Sequence, residues 1–176
     1  RDFKDTTVVD TNPVQLAKFY SDNNADEILV FDLSNGDAEH EEALDTIKKI
    51  CNETEVPVTG AGNVHRMEDI KKLLYAGCRK AALNYSKQGN IEITEEVSKK
   101  FGKEKIAACY ADTQTILEHR GFIEEYVDEL ILVKASALRE SVDKWDGEAK
   151  ILELLPEVSL DFLIEILSYT FIGGIT

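Results

Sequence analysis

Short apolar runs rich in β-branched residues recur about every 25 to 28 residues along this chain, separated by longer stretches of helical period. The strand runs fall at 27–33, 56–59, 80–84, 106–111, 129–133 and 170–172. Several are continuously apolar rather than alternating, the pattern of parallel strands covered on both faces. Between them the periodicity predicts helices over 13–21, 38–51, 67–76, 94–101, 115–126 and 160–168. A strand–helix unit repeated in this way demands right-handed crossovers and a parallel sheet.

Local signals support the helices. Asn12-Pro13 places a capping side chain before a proline at the first helical position. Asp37 precedes an acidic first turn of Glu39, Glu41 and Glu42, favourable against the helix dipole. Gly77 and Gly102 follow the third and fourth helices, and Ser159 precedes the sixth. The stretch 135–158, with Trp145, Asp146-Gly147 and Pro156, breaks the rhythm and reads as a long loop with helical pieces. No linker-like segment divides the chain, so 1–176 is expected to be a single domain.

Two folds accept serial βα units: an open doubly wound sheet and a closed eight-stranded barrel. The 176 residues alone favour the open sheet, since a barrel takes about 250. Acids outnumber bases 34 to 20, a net charge of -14 that repels nucleic acid and anionic membrane alike. No apolar run reaches the roughly 20 residues of a membrane helix, and no secretory leader is read. Cys51, Cys78 and Cys109 form no CxxC pair and are expected as buried thiols in a reducing cytoplasm. Neither cysteines nor histidines have metal-site spacing, so no metal or cofactor is expected. His40 and His119 are read as solvated, and Met67 and Trp145 as packing.

Both folds put ligands at the carboxyl ends of the strands, which makes the strand ends the place to seek a site. The first ends in Asp32, able to orient a ligand hydroxyl or to cap the turn that follows. The second runs into Gly60-Ala61-Gly62-Asn63, the third ends in Asn84, and the fourth in Asp112. The last runs into Gly173-Gly174. A glycine turn between strand and helix offers backbone N–H groups to a phosphate without net positive charge. The same turn can equally be a tight connection needing positive φ. Two such turns on one rim suit a ligand with a phosphate at each end. Asp112 suits a general acid/base or a helix cap. His65 can cap the next helix or stand beside a phosphate.

Taken together, these residues resemble a known family. Asn12-Pro13-Val14-Gln15-Leu16-Ala17-Lys18-Phe19-Tyr20 and Ala25-Asp26-Glu27-Ile28-Leu29-Val30-Phe31-Asp32-Leu33 are similar to the opening of the histidine-biosynthesis barrels. Those are the phosphoribosylformimino-aminoimidazole-carboxamide-ribotide isomerase and the cyclase subunit of imidazole glycerol phosphate synthase. The likeness runs on through Val56 to Val64, Leu73 to Lys80, Ala82-Leu83-Asn84, Phe101-Gly102 and Asp112, and returns at Ile172-Gly173-Gly174.

The resemblance implies a TIM-type (β/α)8 barrel lacking its first and last strands in this chain, and a bis-phosphorylated aminoimidazole ribotide as ligand. It implies Gly60, Ala61, Gly62, Asn63 and Asn84 at one phosphate site and Gly173 and Gly174 at the other. Asp112 falls at the second catalytic carboxylate; Asp32, at an aspartate ending strand two, is the only nearby substitute for the first and is the other catalytic candidate. It further implies cytoplasmic localisation and, for the cyclase type, a glutaminase partner that delivers ammonia. The family triplet of three glycines is here Ala61-Gly62-Asn63, and Val133-Lys134-Ala135 replaces a threonine- and acid-rich loop. These departures allow a second expectation, a non-catalytic barrel domain of a larger histidine-pathway polypeptide; a mononucleotide-binding doubly wound sheet is a third. With one family carboxylate unmatched, the chain alone is expected to be inactive, the remaining strands coming from sequence outside 1–176.

Overall fold

The computed structural model describes residues 12–34, 36–110 and 113–132. Five strands form one parallel sheet: β1 (Ile28–Phe31), β2 (Val58–Ala61), β3 (Lys80–Asn84), β4 (Ile106–Tyr110) and β5 (Glu129–Leu132). Each strand pairs with the next in sequence, in the order β1-β2-β3-β4-β5. A doubly wound sheet reverses its strand order at a switch point, and the five described strands do not. The architecture is therefore a partial TIM-type barrel, and the open-sheet alternative is set aside.

The connecting helices are α1 (Pro13–Asp22), which precedes β1, then α2 (Asp37–Glu53), α3 (Met67–Tyr75) and α4 (Gln88–Phe101). Two short helices, α5 (Thr113–Glu118) and α6 (Arg120–Tyr126), lie between β4 and β5. Asn12 caps α1 as expected, its side chain accepting from the Gln15 N–H at 3.1 Å. The cap of α2 is Gly36, so Asp37 is its first helical residue rather than its predecessor. The run read as one helix over 115–126 is broken at His119. Helix α4 starts six residues earlier than its periodicity suggested. Buried Asn90 explains the extension: its amide donates to the carbonyls of Val64 (3.1 Å) and Asn84 (3.2 Å), anchoring the first turn. Residues 133–176, with the expected strand at 170–172 and helix at 160–168, lie outside the described residues.

Alternation along the strands sorts the core into two layers. Val58, Ala81, Leu83, Ile106, Ala108, Tyr110 and Leu130 pack outward against Leu44, Ile47, Ile50, Ile70, Leu73 and Val97 of the helices. On the opposite face Ala61, Ala82, Ala107, Cys109 and Ile131 meet Leu29 and Phe31. Three alanines and a cysteine give that second face a smaller lining than the helix-facing one.

Toward the amino ends of the strands this face turns polar. Thr59 donates to Glu27 at 2.5 Å. Lys80, 4% exposed, donates to Glu129 at 2.5 Å and reaches Asp128 at 2.7 Å. Burial alone would favour neutral Lys80, but the two carboxylates outweigh it and raise its pKa. Burial likewise pushes Glu129 up, with Lys80 only partly offsetting it. The pair couples β3 to β5 across the intervening strand. Removing one member of a buried ion pair costs about 3–5 kcal/mol. Lys80→Ala should therefore lower unfolding free energy by about that amount in urea titration, whereas Lys80→Ala with Glu129→Ala should recover a large part of the loss.

Candidate functional site

The carboxyl ends of β1, β2 and β3 gather most of the sequence-derived candidates on one rim. Asp32 follows β1, is 5% exposed, and has both carboxylate oxygens engaged. Oδ1 accepts the Ser34 N–H at 2.9 Å, so the aspartate caps its own turn. Oδ2 lies 2.5 Å from His40 Nδ1. Burial pushes the Asp32 carboxyl up, but hydrogen bonds from Ser34, His40 and Asn63 outweigh it and hold its pKa below the ordinary range. An ionised acceptor fixes His40 Nδ1 as the donor.

His40 was expected in solvent on a polar helix face. Instead its side chain is 17% exposed and seated against Asp32, the carboxylate supplying the partner that makes burial tolerable. Its Nε2 is buried with no partner among the described residues. The sequence hid this dyad because His40 stands among Glu39, Glu41 and Glu42, with Asp32 a further loop away.

The glycine turn after β2 divides between structure and rim. Gly60 and Ala61 belong to the strand and are buried. Ala61 does not adopt positive φ, so its methyl group does not obstruct the turn; its carbonyl accepts the Asp32 N–H at 2.7 Å. The left-handed positions are Gly62 (φ +85°) and Asn63 (φ +48°), and asparagine is among the few side-chain residues that adopt this conformation readily. A Cβ at Gly62 would lie 2.0 Å from the Asp32 carbonyl oxygen. The Asn63 amide donates to both the carbonyl and the hydroxyl of Ser34, each at 2.9 Å. The two loops are thus bound into one rim segment, Asn63–Ser34–Asp32–His40.

Beside it, Asn84 ends β3 exposed, its Oδ1 accepting the Ser86 N–H at 2.9 Å. Three residues beyond Asn84, Lys87 sets its Nζ 3.2 Å from His65 Nδ1 across the gap between the β2 and β3 loops. Asp69 takes the N–H groups of both His65 (3.1 Å) and Arg66 (3.2 Å), so the start of α3 already holds an anion of its own. Sequence reasoning missed Lys87, a lone lysine in a polar stretch. Asp112, Gly173 and Gly174 lie outside the described residues. No group of three or more metal-binding side chains occurs among the described residues, and no described helix is long and apolar enough to cross a membrane.

The family described as histidine biosynthesis protein matches residues 2–140. The chain belongs to that family. Among its curated relatives, imidazole glycerol phosphate synthase subunit HisF of Campylobacter concisus is 34% identical over 98 residues, 56% of this chain and 39% of that protein. The HisF subunit of Staphylococcus saprophyticus is 36% identical over 95 residues, 54% of this chain and 38% of its own length. That of Endomicrobium trichonymphae is 28% identical over 172 residues, 89% of this chain and 66% of its own. The chain thus spans between 38% and 66% of the lengths of these relatives. Membership agrees with the strand order, since the family builds a TIM-type barrel.

Two outcomes follow from the rim. Gly62→Ala must move the Asp32 backbone or abandon a left-handed turn, so it should cost at least about 2 kcal/mol in chemical denaturation. Asp32 has a depressed pKa in the folded state, so its stabilisation is complete above the unfolded value of about 3.9 and lost as pH falls through the folded one. Unfolding followed between about pH 6 and pH 2 should show a shallower acid loss in Asp32→Asn than in the parent.

Proposed function

We propose that this histidine-biosynthesis barrel segment is of the cyclase type and binds one phosphate of a bis-phosphorylated aminoimidazole ribotide at the β2 and β3 loops. The observation carrying this reading is the convergence of the left-handed Gly62-Asn63 turn, Asn84, His65 and Lys87 on one rim. Lys87 faces an imidazole there, so its charge remains available to an anion. That local cation matters, because a chain at -14 draws no anion by its overall field. The HisF relatives favour cyclase over isomerase.

In this reading Asp112 is one of two general acid/base carboxylates, the other coming from a strand of the whole barrel outside this sequence. Together they would move the protons that accompany imidazole ring closure. Ammonia would come from a glutaminase subunit. Asp32 acts by fixing the rim through Ser34 and His40, and Gly173 and Gly174 begin the site for the second phosphate. The alternative, a barrel domain that binds without turnover inside a larger histidine-pathway polypeptide, is favoured by Val133-Lys134-Ala135 in place of the family's acid-rich loop.

Titration calorimetry of the full polypeptide with a phosphoribosyl aminoimidazole compound tests the site. Binding should weaken about tenfold in Lys87→Ala, the scale of one charged hydrogen bond. Absence of binding at millimolar ligand would overturn the proposal. Turnover with ammonia then separates the two readings: Asp112→Asn should reduce kcat at least about 100-fold in an active protein. Binding without turnover in the parent would establish the non-catalytic alternative.

A further inference from the structure

Away from the rim, toward the amino ends of the strands, two cysteines meet that lie 27 residues apart in sequence. Cys51 sits in the last turn of α2, half-buried, and Cys78 is buried in the turn that enters β3. Their sulfurs are 4.0 Å apart. Glycines on both sides make the approach possible. A Cβ at Gly77 would lie 2.9 Å from the Cys51 Cβ, and a Cβ at Gly60 would lie 2.9 Å from the Cys78 sulfur. The helix end and the strand entry therefore pack as closely as side chains permit. Cys109, the third thiol, lies on the other face of the sheet in the Ala-rich layer.

We propose that Cys51 and Cys78 form a reversible redox pair, oxidised to an intramolecular disulfide by low-molecular-weight disulfides such as glutathione disulfide. Cys51 is the attacking thiol. It is the more exposed of the two, and the Cys78 S–H hydrogen bond stabilises its thiolate, lowering its pKa against the opposing effect of burial. Cys78 is the resolving thiol, held protonated by its bond to Cys51 and by burial.

The exchange balances in two steps. Cys51 thiolate attacks one sulfur of glutathione disulfide, forming a mixed disulfide and releasing one glutathione thiolate. Cys78 then attacks the Cys51 sulfur, its proton passing to the second departing glutathione. The protein dithiol is oxidised by two electrons, and one glutathione disulfide is reduced to two thiols. The sulfurs must close from 4.0 Å to about 2.05 Å. The product staples the end of α2 to the start of β3.

The test is peptide mapping by mass spectrometry of the full polypeptide, equilibrated in glutathione buffers from fully reduced to predominantly oxidised. A crosslinked Cys51–Cys78 peptide about 2 Da lighter than the two free peptides is expected, with Cys109 still alkylated as a free thiol. Cys78→Ser should stop at the first step and accumulate one glutathione on Cys51. Cys51→Ser should leave Cys78 unmodified. Free Cys51 and Cys78 in the parent at the oxidising end would overturn the proposal. So would a persistent unresolved glutathione adduct on Cys51 in the parent, and the parent map needs no variant to fold.

Discussion

A backbone-to-backbone approach at the rim governs the arrangement of the site. The chain leaving β2 passes so close to Asp32 that Gly62 has room for hydrogen alone on that side. This contact brings the β1 and β2 loops within hydrogen-bonding range, and the Asn63 amide fastens them together through Ser34, while His40 holds Asp32 from α2. The family's third glycine can become asparagine here for a physical reason. Position 63 still needs a left-handed backbone, which asparagine tolerates, and its amide supplies the fastening that glycine cannot. The altered triplet is thus a reinforced version of the turn, with the alanine withdrawn into the strand.

The charge arrangement solves a second problem. The chain carries a net charge of -14, yet the rim places Lys87 against His65 and ties the Asp32 carboxylate into internal hydrogen bonds. Asp69 is consumed by the start of α3. Local cancellation of the carboxylates thus leaves the gap between the β2 and β3 loops less hostile to an anion than the net charge implies. At the opposite end the wall carries its other concentration of charge, Lys80 between Asp128 and Glu129.

The periodic features of the fold were legible because they are local. The recurrence of apolar runs placed all five described strands, and β3 coincides with its expected limits. Strand β2 lies two residues later than its apolar run suggested, since Pro57 offers no N–H to a ladder while Gly60 and Ala61 suit the tightly packed wall. Helix α4 extends six residues before its periodic run: Gly89 and Asn90 disfavour helix interiors, and the tertiary bonds of Asn90 override that preference. Pairings between distant residues left no trace in sequence. Lys87 with His65 and Cys51 with Cys78 each depend on which elements the sheet order makes neighbours, and His40 with Asp32 depends on how the β1–α2 loop folds back.

The strictly sequential strand order bears on how such a chain is born. Among the described strands, each of β2 to β5 pairs with the one made just before it, so this wall can grow progressively as the polypeptide emerges from the ribosome. Lys80 is the exception to that smooth growth. Its neighbours β2 and β4 are made on either side of it, yet its principal counter-charge is translated 49 residues later. At about 5–20 residues per second, the nascent wall carries an uncompensated ammonium for several seconds before Glu129 arrives. The arrival of β5 is thus the step that lets the amino end of the wall dehydrate, a late electrostatic latch on an otherwise progressive assembly.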